Sequence, residues 1–374
     1  MTNRLDFDKL LPLLEPMEFE IPINQEPTDY FPTFLRQRLD RYTRYYNEQL
    51  KPYVDGTLKY TNGRTDLVLE KIEKLSAGLI TAVEEYYLGN VFGATKAFND
   101  VMTSVKFTAM TSVNTIPAES YFYRTRPTSE RNLSRKALFH NPFQNRHAVK
   151  TGRYSIPGFP ALYLGSSVYV CWEEYDRLPI PSLYFSRLSN TRPLRVAQIQ
   201  RLNDFLSEIE PLPKDGEAKS RNFIRYLSLF PLLIACTIKT KQDGSFKPEY
   251  IIPQLLLQFI SNNKEVDGIM FPSTKVDYHL IENISAYNYV FPVKEIYQEG
   301  YCAQLLNTFE MTLPTSIEIE ELINHSRGFL TKADQSPNIR LGTIKIVEEV
   351  VTPYRATSLG YLEQILNTRT LAMV

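Results

Sequence analysis

The sequence predicts an α+β protein of about two domains, and three observations support this prediction. Helical periodicity dominates the first 115 residues, whereas short β-forming segments separated by turns follow from Pro117 onward. Of the 374 residues, 43% are hydrophobic, which is enough to form a large core. The chain has 24 Pro and only 15 Gly and shows no internal repeat, which argues against fibrous and repetitive architectures.

The N-terminal region, residues 1–115, is predicted to be helical. It begins with an extended arm at residues 1–30, which is rich in proline and acidic residues. Apolar residues recurring every three or four positions then predict helices at residues 34–50, 66–88 and 91–106. This region contains no recognisable site chemistry, so we interpret it as a helical cap or as the interface of a homodimer.

Residues 116–300 are predicted to form the domain that contains the sheet, and residues 301–374 a C-terminal extension. The extension is predicted to contain helices at 316–326 and 358–367 and a strand at 343–352. A helix is predicted in the middle domain at residues 251–261, after an insertion loop at 211–220. The strands predicted in that domain are residues 121–124, 161–164, 168–171, 183–185, 232–238, 268–271 and 289–293.

Composition excludes several classes of function. With 42 basic and 42 acidic side chains the formal net charge is zero, which argues against direct binding of nucleic acid. The three cysteines are widely spaced and form no CxxC, which supports neither a disulfide framework nor a zinc site. The N-terminus does not resemble a signal peptide. The longest apolar run, residues 226–238, is shorter than the ~20 residues of a membrane span, so a cytoplasmic location without membrane contact is predicted.

One segment departs from this neutrality. Residues 124–153 hold six arginines and two lysines against a single acidic residue, with aromatic residues interleaved. Such a segment is either a solvated basic loop or a site for phosphate groups, because an arginine guanidinium can donate two parallel hydrogen bonds to two phosphate oxygens. His140 and His147 lie within it and are predicted to be surface residues. The chain has no glycine-rich phosphate loop, no HExxH and no GxSxG, so neither a metal nor a serine triad is expected.

The stretch TGRYSIPGFPALYLGSSVYVCWEEY at residues 151–175 resembles the core of the RES domain family. Six short motifs of that family occur in the correct order between residues 121 and 293, although the segment between Glu174 and Ser273 is longer than the family pattern. These motifs are Tyr123-Arg124, Gly152-Arg153, the PALYLG run that ends at Gly165, Glu174, the DGIMFPS run that ends at Ser273, and the NYVF run that begins at Asn288.

The resemblance implies a fold and an activity. RES proteins have a mixed sheet similar to that of ADP-ribosyltransferases, degrade NAD+ as a substrate without a cofactor, and commonly act as toxins blocked by a helix-turn-helix antitoxin. Transferred to this sequence, the family roles give the following expectations: catalytic residues Glu174, Arg153 and Ser273, and substrate-binding residues Arg124, Tyr163 and Asn288. The resemblance also implies that Arg124 and Arg153 hold the pyrophosphate of NAD+.

This set of residue types suits cleavage of the nicotinamide–ribose bond. Nicotinamide in NAD+ is already a cationic leaving group, so one carboxylate beside the ribose can stabilise the oxocarbenium-like transition state without a general acid. Alternatives remain for individual residues: Glu173 competes with Glu174 and is otherwise expected to be solvated, Tyr163 can serve the core, and Ser273 can shape a turn. Two other functions also remain open, ADP-ribosyl transfer to a macromolecule and nucleotide binding without catalysis.

Overall fold

The computed structural model describes residues 4–374 except 16, 27–28, 56–66, 112–114, 131, 214–215, 241–243, 325–336 and 348. Arg131 and His325 therefore lie outside the described residues. The chain divides into two compact units. The first unit comprises Met1–Val113, Gly152–Tyr154 and Ile199–Phe259, and the second comprises Asn114–Thr151, Ser155–Gln198 and Ile260–Val374.

Helices and strands occur throughout the described residues. The α-helices are α1 (Phe7–Leu10), α2 (Phe31–Tyr45), α3 (Leu67–Tyr87), α4 (Val91–Ser104), α5 (Phe107–Thr111), α6 (Val168–Glu174), α7 (Leu202–Ile209), α8 (Glu217–Thr237), α9 (Ile251–Ser261), α10 (Ala303–Thr308), α11 (Ile317–Asn324), α12 (Pro337–Leu341) and α13 (Ser358–Thr368). The strands are β1 (Ile23–Gln25), β2 (Thr115–Ile116), β3 (Tyr121–Pro127), β4 (Ala161–Gly165), β5 (Leu183–Asn190), β6 (Leu194–Gln198), β7 (Ile238–Thr240), β8 (Gly268–Pro272), β9 (Ile281–Glu282), β10 (Tyr287–Pro292), β11 (Phe309–Met311), β12 (Thr343–Val347), β13 (Val350–Pro353) and β14 (Ala372–Met373).

The first unit is mainly helical, and it includes residues 1–113 of the region in which helices were predicted. The three helices predicted in the N-terminal region are confirmed as α2, α3 and α4, and a π-helical turn at Tyr46–Leu50 continues α2. The apolar stripe of α3 is buried. In this unit Tyr42 of α2 donates its hydroxyl to the carbonyl of Leu227 in α8 at 2.8 Å, which satisfies a buried phenol.

The predicted extended arm at residues 1–30 is wrong. Most of its described apolar side chains are buried, and Phe19 packs against Tyr42 and Phe230 with ring centroids 5.9 and 4.9 Å apart. Short stretches of α1 and β1 form within it, and β1 pairs in parallel with β7. The high proline content prevents a long helix, but it does not prevent the apolar side chains between the prolines from being buried.

The strand predicted at residues 232–238 is also wrong, because most of this run belongs to helix α8. Its residues from Tyr226 to Thr237 are all buried, as the apolar composition indicated. A continuous apolar run carries no period that separates a buried strand from a buried helix. Helix α8 accommodates the proline at position 231, and only Ile238–Thr240 is strand.

The second unit contains a nine-stranded mixed sheet in the order β14-β11-β5-β3-β4-β10-β8-β6-β2. Within it β6 and β8 are parallel, and the other neighbours pair antiparallel. The α+β class is thus confirmed, while similarity to the ADP-ribosyltransferase fold stays a prediction. A separate three-stranded sheet has the order β13-β12-β9, so the single strand predicted at 343–352 is a hairpin of two strands.

Both faces of the large sheet are covered. Phe122 and Tyr123 follow each other in β3, so their side chains point to opposite faces, and they belong to two different apolar clusters. The Phe122 cluster is rich in aromatic rings that meet edge to face, including Phe291 and Phe309. The Tyr123 cluster contains most of the buried apolar residues of α6 and α13. The sheet therefore presents α6 on its Tyr123 face.

The strand predicted at residues 168–171 is wrong for a local reason. Ser167 precedes this run in extended conformation, and its hydroxyl accepts a hydrogen bond from the backbone N–H of Val170, which makes it the N-cap of α6. The β-branched valines are accommodated because the short helix packs its apolar residues into the Tyr123 cluster. Propensity favoured a strand, and the cap with tertiary packing favoured the helix.

The compact units do not follow the segments predicted from the sequence. Residues 199–259 belong to the first unit, so the segment between Glu174 and Ser273 contributes not only the loop predicted at 211–220 but also all of α8 to that unit. The predicted C-terminal extension contributes β11 and β14 to the nine-stranded sheet of the second unit. That residues 116–300 form one functional domain stays a prediction.

Candidate functional site

Three of the six predicted site residues meet at one carboxylate oxygen. Glu174 Oε1 accepts hydrogen bonds from the hydroxyl of Ser273 at 2.7 Å and from Nδ2 of Asn288 at 2.6 Å. The two donors are 99 and 114 residues from Glu174 in the sequence. The fold thus assembles Glu174, Ser273 and Asn288, which we call the Glu174 group.

The sheet explains why these residues meet. Asn288 lies in β10 between two registered neighbours, Gly165 of β4 and Phe271 of β8. Gly165 also pairs with Tyr123, and directly opposed residues share a face, so Asn288 points to the face that carries α6. Glu174 is the last residue of α6, and Ser273 directly follows β8.

Gly165 allows α6 to approach the sheet closely. A Cβ atom at this position would lie 2.8 Å from Sγ of Cys171, which is closer than two such atoms can pack. The hydrogen bond from Cys171 Sγ to the Tyr123 carbonyl, at 3.3 Å, holds the same contact. The glycine at the end of β4 therefore sets the distance between the strand and the helix that bears Glu174.

The three residues of the Glu174 group differ in burial: the two donors are buried and the carboxylate is partly exposed. Ser273 is 0% exposed and Asn288 is 7% exposed, whereas Glu174 is only half-buried. The Ser273 hydroxyl donates to Glu174 and accepts from the backbone N–H of Lys275 at 3.2 Å. Within the described residues no donor contacts Glu174 Oε2. One oxygen of the carboxylate is therefore held by the protein and the other is open to a ligand.

Sequence reasoning missed two residues beside this group. Lys275 donates Nζ to the Glu174 carbonyl oxygen and to Asp176, both at 2.8 Å. Tyr278 donates its hydroxyl to the carbonyls of Ser273 and Ala286, at 3.1 and 3.0 Å. Both side chains hold the segment after β8 against its neighbours. Neither position carries a spacing or residue pattern that distinguishes it from a solvated loop residue.

The competing acid Glu173 is not solvated as expected. Its side chain is 4% exposed and pairs with Arg177. Nη2 of Arg177 lies 2.9 Å from Oε1 of Glu173, and Nε lies 3.1 Å from each of the two carboxylate oxygens. The pair follows from the i, i+4 spacing, which brings the arginine back over the end of α6. Glu173 is thus fully engaged, and Glu174 is the carboxylate with a free oxygen.

Arg124 and Tyr163 are joined through the backbone. Nη1 of Arg124 donates to the Tyr163 carbonyl at 2.6 Å, at a place where β3 and β4 share a single registered pair. Nε of Arg124 is buried and has no hydrogen-bond partner among the described residues. Burial raises the pKa of the Tyr163 phenol well above its ordinary value, so this ring is neutral at physiological pH.

Arg153 belongs to the first unit, unlike the other predicted site residues. Its guanidinium donates to the carbonyls of Ile238 at 2.7 Å, Cys236 at 3.2 Å and Glu249 at 3.4 Å. The ring of Tyr250 lies 5.3 Å from its Cζ atom. These carbonyls include groups that the end of α8 leaves without a helical partner, so Arg153 caps that helix. Its predicted role toward a pyrophosphate stays a prediction.

Much of the basic stretch serves the fold of its own loops. Arg126 donates to the Ala137 carbonyl at 2.9 Å, Arg135 to Met311 at 2.7 Å and Arg146 to Gly158 at 3.4 Å. These carbonyls lie in a short 3-10 helix (Ala137), at the end of β11 (Met311) and in a turn (Gly158). The local excess of positive charge is therefore distributed along the loops and does not form one cluster.

His140 is buried, so its prediction as a surface residue is wrong. It is 1% exposed among aromatic rings, and Nε2 accepts the backbone N–H of Cys302 at 3.0 Å while Nδ1 lies 2.8 Å from the Asn141 carbonyl. Burial lowers the pKa of His140 to about 4. The side chain is thus a neutral structural residue that links the basic stretch to the segment before α10.

The structure also bears on metals, thiols and membranes. Among the described residues no group of three or more His, Cys, Asp and Glu side chains could hold a metal ion. All three cysteines are buried free thiols, and burial raises the pKa of Cys236 to about 12. In the described part of the chain, no helix has the length and apolar character needed to cross a membrane.

The fold and the Glu174 group define an α+β protein in which a mixed sheet and one helix hold a half-buried carboxylate. A protein of Bacillus subtilis (strain 168) named "Putative toxin YopC" is 31% identical to this chain over 364 residues. The alignment covers 93% of this chain and 78% of that protein. The chain therefore belongs to the same family as that protein, and the relationship spans both compact units.

Two further comparisons found nothing. No family model matches the chain, so the RES domain stays a resemblance carried by the six motifs. No solved structure matches it.

Proposed function

We propose that this protein is a toxin that cleaves the nicotinamide–ribose bond of NAD+, with Glu174 as the catalytic carboxylate. One observation carries the proposal: Glu174 Oε1 is held by Ser273 and Asn288 while Oε2 is open. Three residues assigned from separate motifs of one family meet at a single atom, although Ser273 and Asn288 are 99 and 114 residues from Glu174 in sequence. A carboxylate with a fixed orientation and one open oxygen is what the reaction requires.

The chemistry needs few groups. The bond between ribose C1′ and the pyridinium nitrogen breaks, its electron pair stays on nitrogen, and neutral nicotinamide leaves. The ribose carries a developing positive charge, which the Glu174 carboxylate stabilises because it lies in a preorganised environment. Water or phosphate then forms the new bond to C1′, and an attacking water releases its proton to solvent. The products are nicotinamide and ADP-ribose, or its 1-phosphate.

Arg124 and Tyr163 are proposed to bind the substrate beside this carboxylate. The unpaired Nε of Arg124 is a donor that a phosphate oxygen can satisfy. The neutral ring of Tyr163 is suited to contact a planar pyridinium. Water is the acceptor we expect in the absence of phosphate.

The toxin assignment is supported by the relative, whose name describes a toxin. Loss of NAD+ would stop growth of the cell that makes the protein. A partner that blocks the Glu174 group is therefore expected, and the resemblance to RES proteins suggests a helix-turn-helix antitoxin.

The test is release of nicotinamide from NAD+ by the purified full chain. We expect turnover by the wild type and a loss of at least 1,000-fold in Glu174→Gln, a change that keeps the acceptor oxygen but removes the charge. Asp176→Asn is the matched control, since Asp176 is an exposed neighbouring acid, and it should retain activity. No release by a folded wild type, or equal rates in the wild type and Glu174→Gln, would contradict the proposal. Label from NAD+ that stays on protein or nucleic acid would instead indicate ADP-ribosyl transfer.

A further inference from the structure

The second unit contains a cavity of about 710 Å³ whose lining shares no residue with the Glu174 group. Its walls come from the basic stretch near Arg135, from β5, from the segment after β11, from α11 and from the end of α13. Its volume is typical of sites for small organic ligands. The proposed function leaves this cavity unused.

The cavity contains an ion pair between a buried carboxylate and a partly exposed arginine. Glu320 is 0% exposed, and Nη2 of Arg369 lies 2.8 Å from each of its carboxylate oxygens. The hydroxyl of Thr315 also donates to Oε1 of Glu320. The carboxylate is therefore neutralised and hydrogen-bonded, and a negative ligand in the cavity would not face an uncompensated anion.

Positive charge exceeds negative charge around the cavity. Arg135 donates only Nε to the protein, to the Met311 carbonyl, and Arg369 donates only Nη2, to Glu320. Among the described residues no acceptor contacts the other side-chain N–H groups of these two arginines. Two guanidinium groups and one carboxylate thus line the cavity.

The rest of the lining is largely apolar. Leu313 and Ile323 line the cavity and are 58% and 52% exposed, although both are large hydrophobic side chains. Leu133 and Ile319 extend this apolar wall. Exposed apolar side chains at the mouth of a cavity favour a ligand that removes them from water.

We propose that this cavity binds an amphiphilic organic anion. Its carboxylate or phosphate group would contact Arg135 and Arg369, and its hydrocarbon part would contact Leu313, Ile319 and Ile323. The free N–H groups of arginine suit either head group, since both present paired oxygens to a planar guanidinium. The proposal does not depend on NAD+ cleavage.

The first probe is 8-anilinonaphthalene-1-sulfonate, whose fluorescence rises in an apolar site. We expect saturable binding of one molecule per chain and displacement by octanoate or by octyl phosphate. Neutral 1-octanol should compete at least 10-fold less well, because it lacks the charge that the arginines bind. The two anions in parallel identify the preferred head group.

Variants at Ile323 separate charge recognition from nonspecific apolar binding. Ile323 is half exposed, so Ile323→Glu and Ile323→Lys should both fold, with thermal midpoints close to the wild type. Affinity for octanoate should fall at least 10-fold in Ile323→Glu and be retained in Ile323→Lys. Arg135→Gln, which leaves the Arg369–Glu320 pair intact, should weaken binding at least 5-fold. Equal affinity in the two Ile323 variants, equal competition by 1-octanol, or no saturable binding would overturn the proposal.

Discussion

At the scale of single residues, one carboxylate oxygen receives two hydrogen bonds from buried donors. Glu174 Oε1 is the acceptor, and Ser273 and Asn288 donate to it. Hydrogen bonds to an ionised group are stronger than those between neutral partners. The two donors therefore restrict the rotamer of Glu174 and leave the second oxygen as the one that a substrate can meet.

Removing either donor should lower activity without abolishing it. We expect Ser273→Ala and Asn288→Ala each to reduce kcat/KM for nicotinamide release by about 10- to 100-fold, the equivalent of one hydrogen bond to a charged group. The double variant should lose less than the product of the two effects, because both donors act through the same carboxylate. Ser182→Ala is the control, since its exposed hydroxyl donates only to the Pro179 carbonyl. Unchanged kcat/KM in both single variants would show that the orientation of Glu174 does not matter.

His140 should make stability depend on pH. Its pKa is about 4 in the folded protein and about 6.5 in the unfolded chain. Between these pH values the unfolded chain binds more protons than the folded protein. The contribution of neutral His140 to the free energy of unfolding is therefore complete above pH 6.5 and is lost as pH falls toward 4. A shift of this size corresponds to about 3 kcal/mol.

The difference in free energy of unfolding between the wild type and His140→Gln isolates this contribution from that of the carboxyl groups. Denaturation at pH 7 and at pH 4.5 should show the advantage of the wild type shrinking at the lower pH. A constant difference across that range would mean that the pKa of His140 is the same in the folded protein as in the unfolded chain.

At the scale of elements, a local hydrogen bond from the backbone to a capping side chain decided that the apolar run at residues 168–171 forms a helix. The cap at Ser167 starts α6 within residues that favour strands, and the last residue of that helix is Glu174. Register then places Asn288 opposite Gly165, on the face of the sheet against which α6 packs. The site consequently depends on the start of a seven-residue helix.

Loss of the Ser167 cap should affect both stability and activity. Ser167→Ala should lower the free energy of unfolding by about 1 kcal/mol, the usual value of an N-cap. It should also reduce nicotinamide release, because α6 carries Glu174. Ser167→Thr keeps an acceptor oxygen and should preserve more of both properties. An alanine variant as stable and as active as the wild type would show that the cap does not hold α6.

At the scale of the whole molecule, the chain is divided between two compact units, and the sequence passes between them more than once. The first unit contains residues that the family motif places with the substrate site, namely Gly152 and Arg153. In that unit Arg153 contacts three carbonyls near the end of α8. The homodimer predicted from the helical region stays a prediction.

Replacing Arg153 should destabilise the first unit. Arg153→Met keeps much of the apolar length but removes three hydrogen bonds, so we expect the free energy of unfolding to fall by about 1 to 3 kcal/mol. Circular dichroism at 222 nm follows mainly the helices of this unit, because it contains the longest helices, α3 and α8, and fluorescence of Trp172, the single tryptophan, reports the second unit. Arg146→Met is the matched control, because Arg146 makes one long bond of 3.4 Å. A rise in KM for NAD+ with unchanged stability would instead support the predicted contact with pyrophosphate.

The sequence by itself determined the α+β class, the helices α2, α3 and α4, and the identity of Glu174, Ser273 and Asn288 as candidates. Amphipathic period and ordered motifs are local patterns, and a single chain displays them directly. Only the tertiary structure decided whether the apolar runs at residues 168–171 and 232–238 form helix or strand. It also decided the burial of His140 and Glu173 and the position of Arg153 in the first unit. These outcomes depend on which distant groups pack together, because burial and hydrogen-bond partners are properties of contacts between residues far apart in sequence.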